Sequence, residues 1–274
     1  MQLNEYPAQD PISEFARPYA EKVMQLGANI KGEDVLYGAN PYQSLGIHKP
    51  LKGCGAVFMF IHGGGWTNGY KEWNNFMAPA FFNNDILFVT VGYRLAPMYL
   101  FPEGFNDCAN AVTWVYNNIT KYDADPNRIF LGGHSAGGHY ASLLTVRDNW
   151  KKNKNLPDDV IKGCVPVSGV YRFGKDSGLS QRPRFLGEEG SGAAAEASPI
   201  LHVNKVTADF YMAHGDDDFP HLIDQAIEME NVLKQAGTSI DRTLMVGCDH
   251  LGAHLATRDE KGGWFKGLLS FMGI

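Results

Sequence analysis

The stretch Gly132-Gly133-His134-Ser135-Ala136-Gly137-Gly138 decides how this chain folds. Just ahead of it, Arg128-Ile129-Phe130-Leu131 is a short apolar run that reads as a buried strand, and just behind it His139 to Val146 reads as a helix. A strand that turns directly into a helix forces its corner residue to positive φ. The residues two before and two after the corner then crowd the neighbouring backbone, and only minimal side chains fit. Gly133 and Gly137 supply them. Ser135 occupies the corner, so its hydroxyl projects from the top of the sheet, and the Ala136 N–H lies at the positive end of the following helix. The pattern is a candidate nucleophile elbow.

Working outward, further apolar runs repeat the strand signal. They are Ala56–Ile61, Ile86–Val91, Ile129–Leu131, Cys164–Ser168 (with a proline at 166), Asp209–Ala213 and Thr243–Val246. Each is too short for a typical helix, and a continuous apolar run is how a strand buried on both faces reads. Helical patterns separate them at about 70–83, 105–121, 136–148, 220–236 and 255–272. This alternation implies an α/β fold, a mostly parallel sheet with helices on both faces. Residues 1–30 carry a helical pattern ending at Gly27. Val35 begins an edge hairpin, and the segment from there to Gly55 is rich in loop residues. Residues 171–203 break the rhythm and read as a small cap-like insertion over the sheet, within one domain spanning 1–274.

Composition bounds the function. The 274 residues carry 44% hydrophobic and 20% charged side chains and a formal net charge of −6, ordinary for a soluble globular protein and without the basic block a nucleic-acid partner needs. No apolar run reaches the ~18 residues of a membrane span. The N-terminus lacks the charged and apolar regions of a signal peptide, so a cytoplasmic location is expected. The four cysteines, Cys54, Cys108, Cys164 and Cys248, are scattered without a CxxC pair and read as reduced, mostly buried thiols. A homodimer is compatible with this composition, and the sequence does not set the oligomeric state.

In open α/β sheets, sites form at the carboxyl ends of the strands. His62-Gly63-Gly64-Gly65-Trp66 follows the first run, and its glycines let backbone N–H groups face a ligand. Gly64 and Gly65, joined by Ala136, are the expected oxyanion donors. His214-Gly215-Asp216-Asp217-Asp218 follows the fifth run, where a carboxylate can orient a histidine, and any of the three aspartates could serve. The spacing lacks the alternation of a calcium loop. Gly247-Cys248-Asp249-His250 follows the sixth run and offers His250 as the general base. His254 reads as the start of the final helix. A zinc pair with His250 lacks a third ligand, and Cys248 has no elbow of its own. The order serine, acid, histidine is that of the α/β-hydrolases.

At these residues the sequence resembles α/β-hydrolase fold esterases of the hormone-sensitive-lipase and kynurenine formamidase (arylformamidase) type. His62 to Trp66 is similar to the HGGxW motif, Gly92-Tyr93-Arg94-Leu95-Ala96-Pro97 to the YRLAP stretch, and Gly133 to Gly138 to the family elbow. Asp249-His250 resembles the DHF that carries the base, with Leu251 in place of Phe. The family places its triad acid three residues after the glycine and two before the proline, which selects Asp218. The resemblance implies a Ser135–His250–Asp218 triad, an acyl-enzyme, no cofactor or metal, and a small ester or aryl formamide as substrate. A ligand-binding or acyl-transferring member of the same fold is the alternative.

Other residues carry weaker signals. Trp66 could wall the pocket, and Tyr70, Trp73 and Phe76 could line an aromatic entrance. Asp107 and Arg94 read as structural. His134 and His139 flank Ser135 without a catalytic role, and Arg182 and Arg184 could meet an anionic substrate.

Overall fold

The computed structural model describes residues 2–52, 55–174, 177 and 182–274. Cys54 and part of the 171–203 segment lie outside the described residues. Eight strands form one sheet: β1 (Glu33–Leu36), β2 (Ser44–His48), β3 (Ala56–Ile61), β4 (Ile86–Val91), β5 (Ile129–His134), β6 (Gly163–Val167), β7 (Asp209–Asp217) and β8 (Ile240–Asp249). Their order is β1-β2-β4-β3-β5-β6-β7-β8. The pairs β1–β2 and β2–β4 are antiparallel, and every later pair is parallel.

The helices are α1 (Arg17–Gly27), α2 (Ala78–Phe82), α3 (Glu103–Asn118), α4 (Ala136–Val146), α5 (Asn149–Asn153), α6 (Arg182–Leu186), α7 (Ala193–Glu196), α8 (Pro220–Gln235), α9 (His250–Ala256) and α10 (Gly263–Met272). The apolar runs are buried on both faces because alternate residues serve different layers. On β3, Val57, Met59 and Ile61 face the core layer that also holds side chains of α3, α4 and α8. Ala56, Phe58 and Phe60 face the opposite layer, with Tyr19 and Val23 of α1, Phe81 of α2 and Phe265 of α10. All eleven residues of α4 are buried, which places the helix after the elbow at the centre of the molecule. No helix among the described residues is long and apolar enough to cross a membrane.

Several expectations change. The loop-rich segment before Gly55 contains β2, a fully buried strand. Its sequence, Ser-Leu-Gly-Ile-His, has no continuous apolar run, and Gly46 is needed because a Cβ there would lie 2.5 Å from Thr90 Oγ1. The helix expected at 255–272 is two helices, and α9 begins at His250 because the Asp249 side chain accepts the Gly252 N–H at 2.6 Å, capping its first turn. The 70–83 segment is a 3-10 turn (Lys71–Met77) running into the short α2. Pro166 sits inside central β6. The ladder to β7 skips Val165 and Pro166 and resumes at Val167. The 171–203 segment holds α6, α7 and a 3-10 turn at Pro199–His202, and it anchors Phe173, Phe185 and Ile200 in the core.

Seven histidines are buried among the described residues, and burial lowers the pKa of five of them. Burial holds His48, His62 and His139 down to about 4 and His134 to about 3, and takes His254 well below the usual range. Each is neutral when folded, so the unfolded chain binds protons first as pH falls. The stabilisation is complete above the unfolded value of ~6.5 and is lost as pH drops towards the folded values. The unfolding free energy from urea titrations at constant ionic strength should therefore fall between pH 6.5 and 4, with a slope of order 1 kcal/mol per pH unit. A flat free energy from pH 7.5 to 5 would contradict this.

Candidate active site

Only Ser135 separates β5 from α4, and its backbone stands at φ 54, ψ −116. The corner fits because its neighbours lack side chains. A Cβ on Gly133 would lie 2.4 Å from the Gly137 carbonyl, and one on Gly137 would lie 2.1 Å from the Ile61 carbonyl oxygen. Ser135 N–H donates to Val167 O at 2.9 Å and Ser135 O accepts from His139 N–H at 2.9 Å, so both sides of the strained peptide are held.

His250, the first residue of α9, points at this corner. Its Nε2 lies 2.9 Å from Ser135 Oγ, and its Nδ1 lies 2.8 Å from Asp218 Oδ1. Asp218 is 4% exposed. Burial alone would raise its pKa. The hydrogen bond and charge of His250, the Ser168 hydroxyl and the Phe219 N–H outweigh that and hold the carboxyl at about 2. Ser168 Oγ donates to Oδ2 at 2.5 Å and Phe219 N–H to Oδ1 at 2.7 Å. A carboxylate kept ionised accepts the proton of Nδ1, which leaves the Nε2 lone pair facing the Ser135 hydroxyl.

The three aspartates have separate positions. Asp217 is exposed, and Asp216 accepts the N–H groups of Gly247 (2.7 Å) and Cys248 (3.2 Å), which shapes the loop ahead of His250. Only Asp218 reaches the histidine. Ser168, at φ 51 just past β6, is a residue that sequence reasoning missed. A serine at the carboxyl end of a central strand was the available signal.

Gly64 has φ +112, and a Cβ there would meet Asn68 O at 2.1 Å, so this turn tolerates only glycine. Among the described residues no acceptor takes the N–H of Gly64, Gly65 or Ala136. Gly64, Gly65 and Ser135 border one cavity of about 440 Å³. Its walls include Tyr19, Trp73, Phe219, Leu222 and Trp66. Trp66 is 3% exposed, stacks on Phe185 at 4.3 Å and donates Nε1–H to His139 Nδ1 at 3.1 Å, so the indole is a fixed wall. His139 passes its own Nε2–H to Ala197 O at 2.6 Å. Of the three aromatics proposed for the entrance, Trp73 borders the cavity. Tyr70 packs beside Tyr6 and Tyr42, and Phe76 packs on His254.

The N-terminal segment, which carried a helical pattern and no functional motif, supplies much of the rim. Asp10, Ile12, Ser13, Phe15, Ala16 and Tyr19 all line the cavity. Gln9 holds this strap through two hydrogen bonds to Gly69, 2.8 Å to its O and 2.9 Å from its N–H, and Asp10 forms an ion pair with Arg184 of α6. Arg184 thus borders the cavity with its charge already paired. The Arg182 side chain lies outside the described residues. Asp107 is fully buried and accepts from Arg94 Nε at 2.8 Å and Nη2 at 2.8 Å, bracing the loop after β4. His254 turns away from His250 to meet the Tyr19 hydroxyl at 2.6 Å. The Cys248 thiol is pushed up by burial and by Asp216 and Asp249, which disfavours the thiolate. No cluster of three or more His, Cys, Asp or Glu among the described residues is arranged to hold a metal ion.

Solved structures share this architecture. The carboxylesterase EstE1 from a metagenomic library superposes with a TM-score of 0.78 at 21% identity, covering 95% of this chain and 96% of that one. An esterase from Pyrobaculum calidifontis gives 0.78 at 19% identity, covering 96% and 99%. The fold is the α/β-hydrolase fold. By sequence, the chain is 27% identical over 237 residues to the isoprenylcysteine alpha-carbonyl methylesterase ICME of Arabidopsis thaliana, covering 79% of this chain and 55% of that protein. It is 28% identical over 213 residues to the esterase LipC of Mycobacterium tuberculosis, covering 70% and 52%. The chain therefore spans about half the length of these curated relatives. The BD-FAE family model matches residues 45–233, the segment that runs from β2 through the elbow and the acid loop into α8. The chain belongs to the BD-FAE family.

Proposed function

We propose that this chain is a serine hydrolase that cleaves small carboxylic esters through an acyl-enzyme on Ser135, with residues 1–274 acting as one hydrolase domain. The observation that carries the reading is the continuous chain from Ser135 Oγ to His250 Nε2 (2.9 Å) and from His250 Nδ1 to Asp218 Oδ1 (2.8 Å). Ester hydrolysis also agrees with the names of its relatives, the methylesterase ICME and the esterase LipC.

In this mechanism His250 Nε2 takes the Ser135 proton as Oγ attacks the ester carbonyl. The developing oxyanion accepts from the N–H groups of Gly64, Gly65 and Ala136, the last at the start of α4. The imidazolium returns its proton to the leaving alkoxide. A water activated by the same nitrogen then attacks the acyl carbonyl, and Ser135 leaves with its proton restored. Asp218 holds the tautomer and stabilises the imidazolium. Trp66 walls the pocket. An aryl formamide would follow the same steps with an amine leaving group, and the aromatic rim of Tyr19, Trp73 and Phe219 suits a flat ring.

Ser135→Ala should lower turnover of p-nitrophenyl esters by ~10⁴–10⁶ with folding intact. Asp218→Asn should cost ~10³–10⁴, since a neutral amide cannot stabilise the imidazolium and its NH₂ group favours the wrong tautomer of His250. Unchanged turnover in Ser135→Ala would reject Ser135 as the nucleophile, and no labelling of wild type by a fluorophosphonate would favour a ligand-binding role. A panel from acetate to octanoate should peak at short acyl chains. N-formyl-kynurenine in the same panel tests the formamide arm.

A further inference from the structure

The mechanism uses the imidazole of His250 and leaves idle a second histidine that holds its main chain. His134 immediately precedes Ser135, is 1% exposed, and places Nε2 2.9 Å from the His250 carbonyl oxygen. A carbonyl only accepts, so the His134 proton resides on Nε2 and is donated there. Burial, with the nearby charge of His250, keeps this imidazole neutral at ordinary pH.

The ring itself is well held. His254 stacks on it at 4.8 Å and 6°, and Phe60 stacks on His254 at 5.6 Å and 9°. The Tyr19 hydroxyl of α1 meets His254 Nδ1 at 2.6 Å. On another side lies Gly63, where a Cβ would come 2.9 Å from His134 Nδ1. The first glycine of the Gly63-Gly64-Gly65 run therefore makes room for this ring.

We propose, on the serine-hydrolase reading above, that His134 is a positioning residue whose Nε2–H fixes the His250 main chain relative to Ser135. Two adjacent residues of one elbow then grip the base at two points, Ser135 Oγ at the imidazole and His134 Nε2 at the carbonyl. Asp218 orients the ring about its own axis, and Asp216 and Asp249 shape the flanking backbone. His134 adds a strut from the nucleophile's own strand to the backbone of the base, so the Ser135–His250 separation does not depend on the β8 loop alone. Edge strand β8 is exposed along much of its length, which makes an internal strut useful.

The test compares His134→Phe, which keeps a stacking ring and loses the donor, with His134→Gln, whose side-chain amide can donate to the same carbonyl. Both are assayed on p-nitrophenyl acetate, by the rate of fluorophosphonate labelling, and by thermal melting. His134→Phe should lower kcat and the labelling rate together by ~10–100-fold while KM stays within ~2-fold, as expected for a misplacement of the order of 1 Å. His134→Gln should recover at least ~5-fold of that loss. A merely structural role would lower the melting temperature without this kcat–KM split or the rescue. His134→Met, apolar and flexible, replaces the Phe variant if that one does not fold. Full kcat in the folded apolar variant, or an equal loss in His134→Gln, overturns the proposal. Ser135→Ala on the same ester separates the two ideas: an active Ser135→Ala rejects Ser135 as the nucleophile, whereas an inactive one beside a fully active His134→Phe rejects only the strut.

Discussion

The site depends on how little space separates α4 from β3. The Gly137 Cα lies so close to the end of β3 that any side chain there would overlap the Ile61 carbonyl oxygen, at 2.1 Å. That contact draws the N-terminus of α4 against the loop that follows β3, and the loop begins with His62 and its three glycines. The elbow, the positive end of the helix and the glycine turn thus converge through one steric constraint. The strained Ser135 backbone costs of order 1–3 kcal/mol by itself, and it persists because a helix buried along its whole length surrounds it.

A second constraint is electrostatic. A carboxylate as buried as Asp218 would take up a proton unless donors compensated for the lost water. Three donors converge on it: His250 Nδ1–H, the Ser168 hydroxyl and the Phe219 N–H. The surrounding histidines meet the opposite fate. His62, His134 and His254 lack an acidic partner, and burial keeps them neutral. One negative charge therefore stands among neutral rings, and the imidazole in contact with it is the one aimed at Ser135.

Much of this was legible in the chain because it rests on local rules. Runs such as Ala56–Ile61 and Ile86–Val91 became strands with the same boundaries. The Gly133–Gly137 spacing around Ser135 follows from sterics that any strand-to-helix corner imposes. The structure brings Ser135, Asp218 and His250 together, and places Gly64 and Gly65 on the same cavity. What escaped has no local signature. β2 is a strand because β4 offers it an edge, and its own residues carry no strand pattern. α9 starts early because Asp249 caps it, a contact decided by loop geometry. Ser168 looked like the end of a strand until Asp218, fifty residues on, lay against it.

The N-terminal segment is the clearest case of a role invisible to pattern. Ile12, Phe15 and Tyr19 fit a helical periodicity, yet α1 begins only at Arg17, with Pro18 in its first turn. The residues before it run as a strap over the cavity, held by side chains that meet distant backbone: Gln9 on Gly69, the Asn68 amide on the Asp10 carbonyl, and Tyr42 on the Pro7 carbonyl. Each bond joins residues more than thirty positions apart, so no window of sequence contains both partners. Tyr19 then does two things at once. Its ring borders the cavity, and its hydroxyl meets His254, which stacks on His134. α1 is thereby joined to α9 by a hydrogen bond, and α9 to β5 by a ring stack. The cavity wall at Tyr19 and the ring that meets the His250 carbonyl thus belong to one continuous set of contacts.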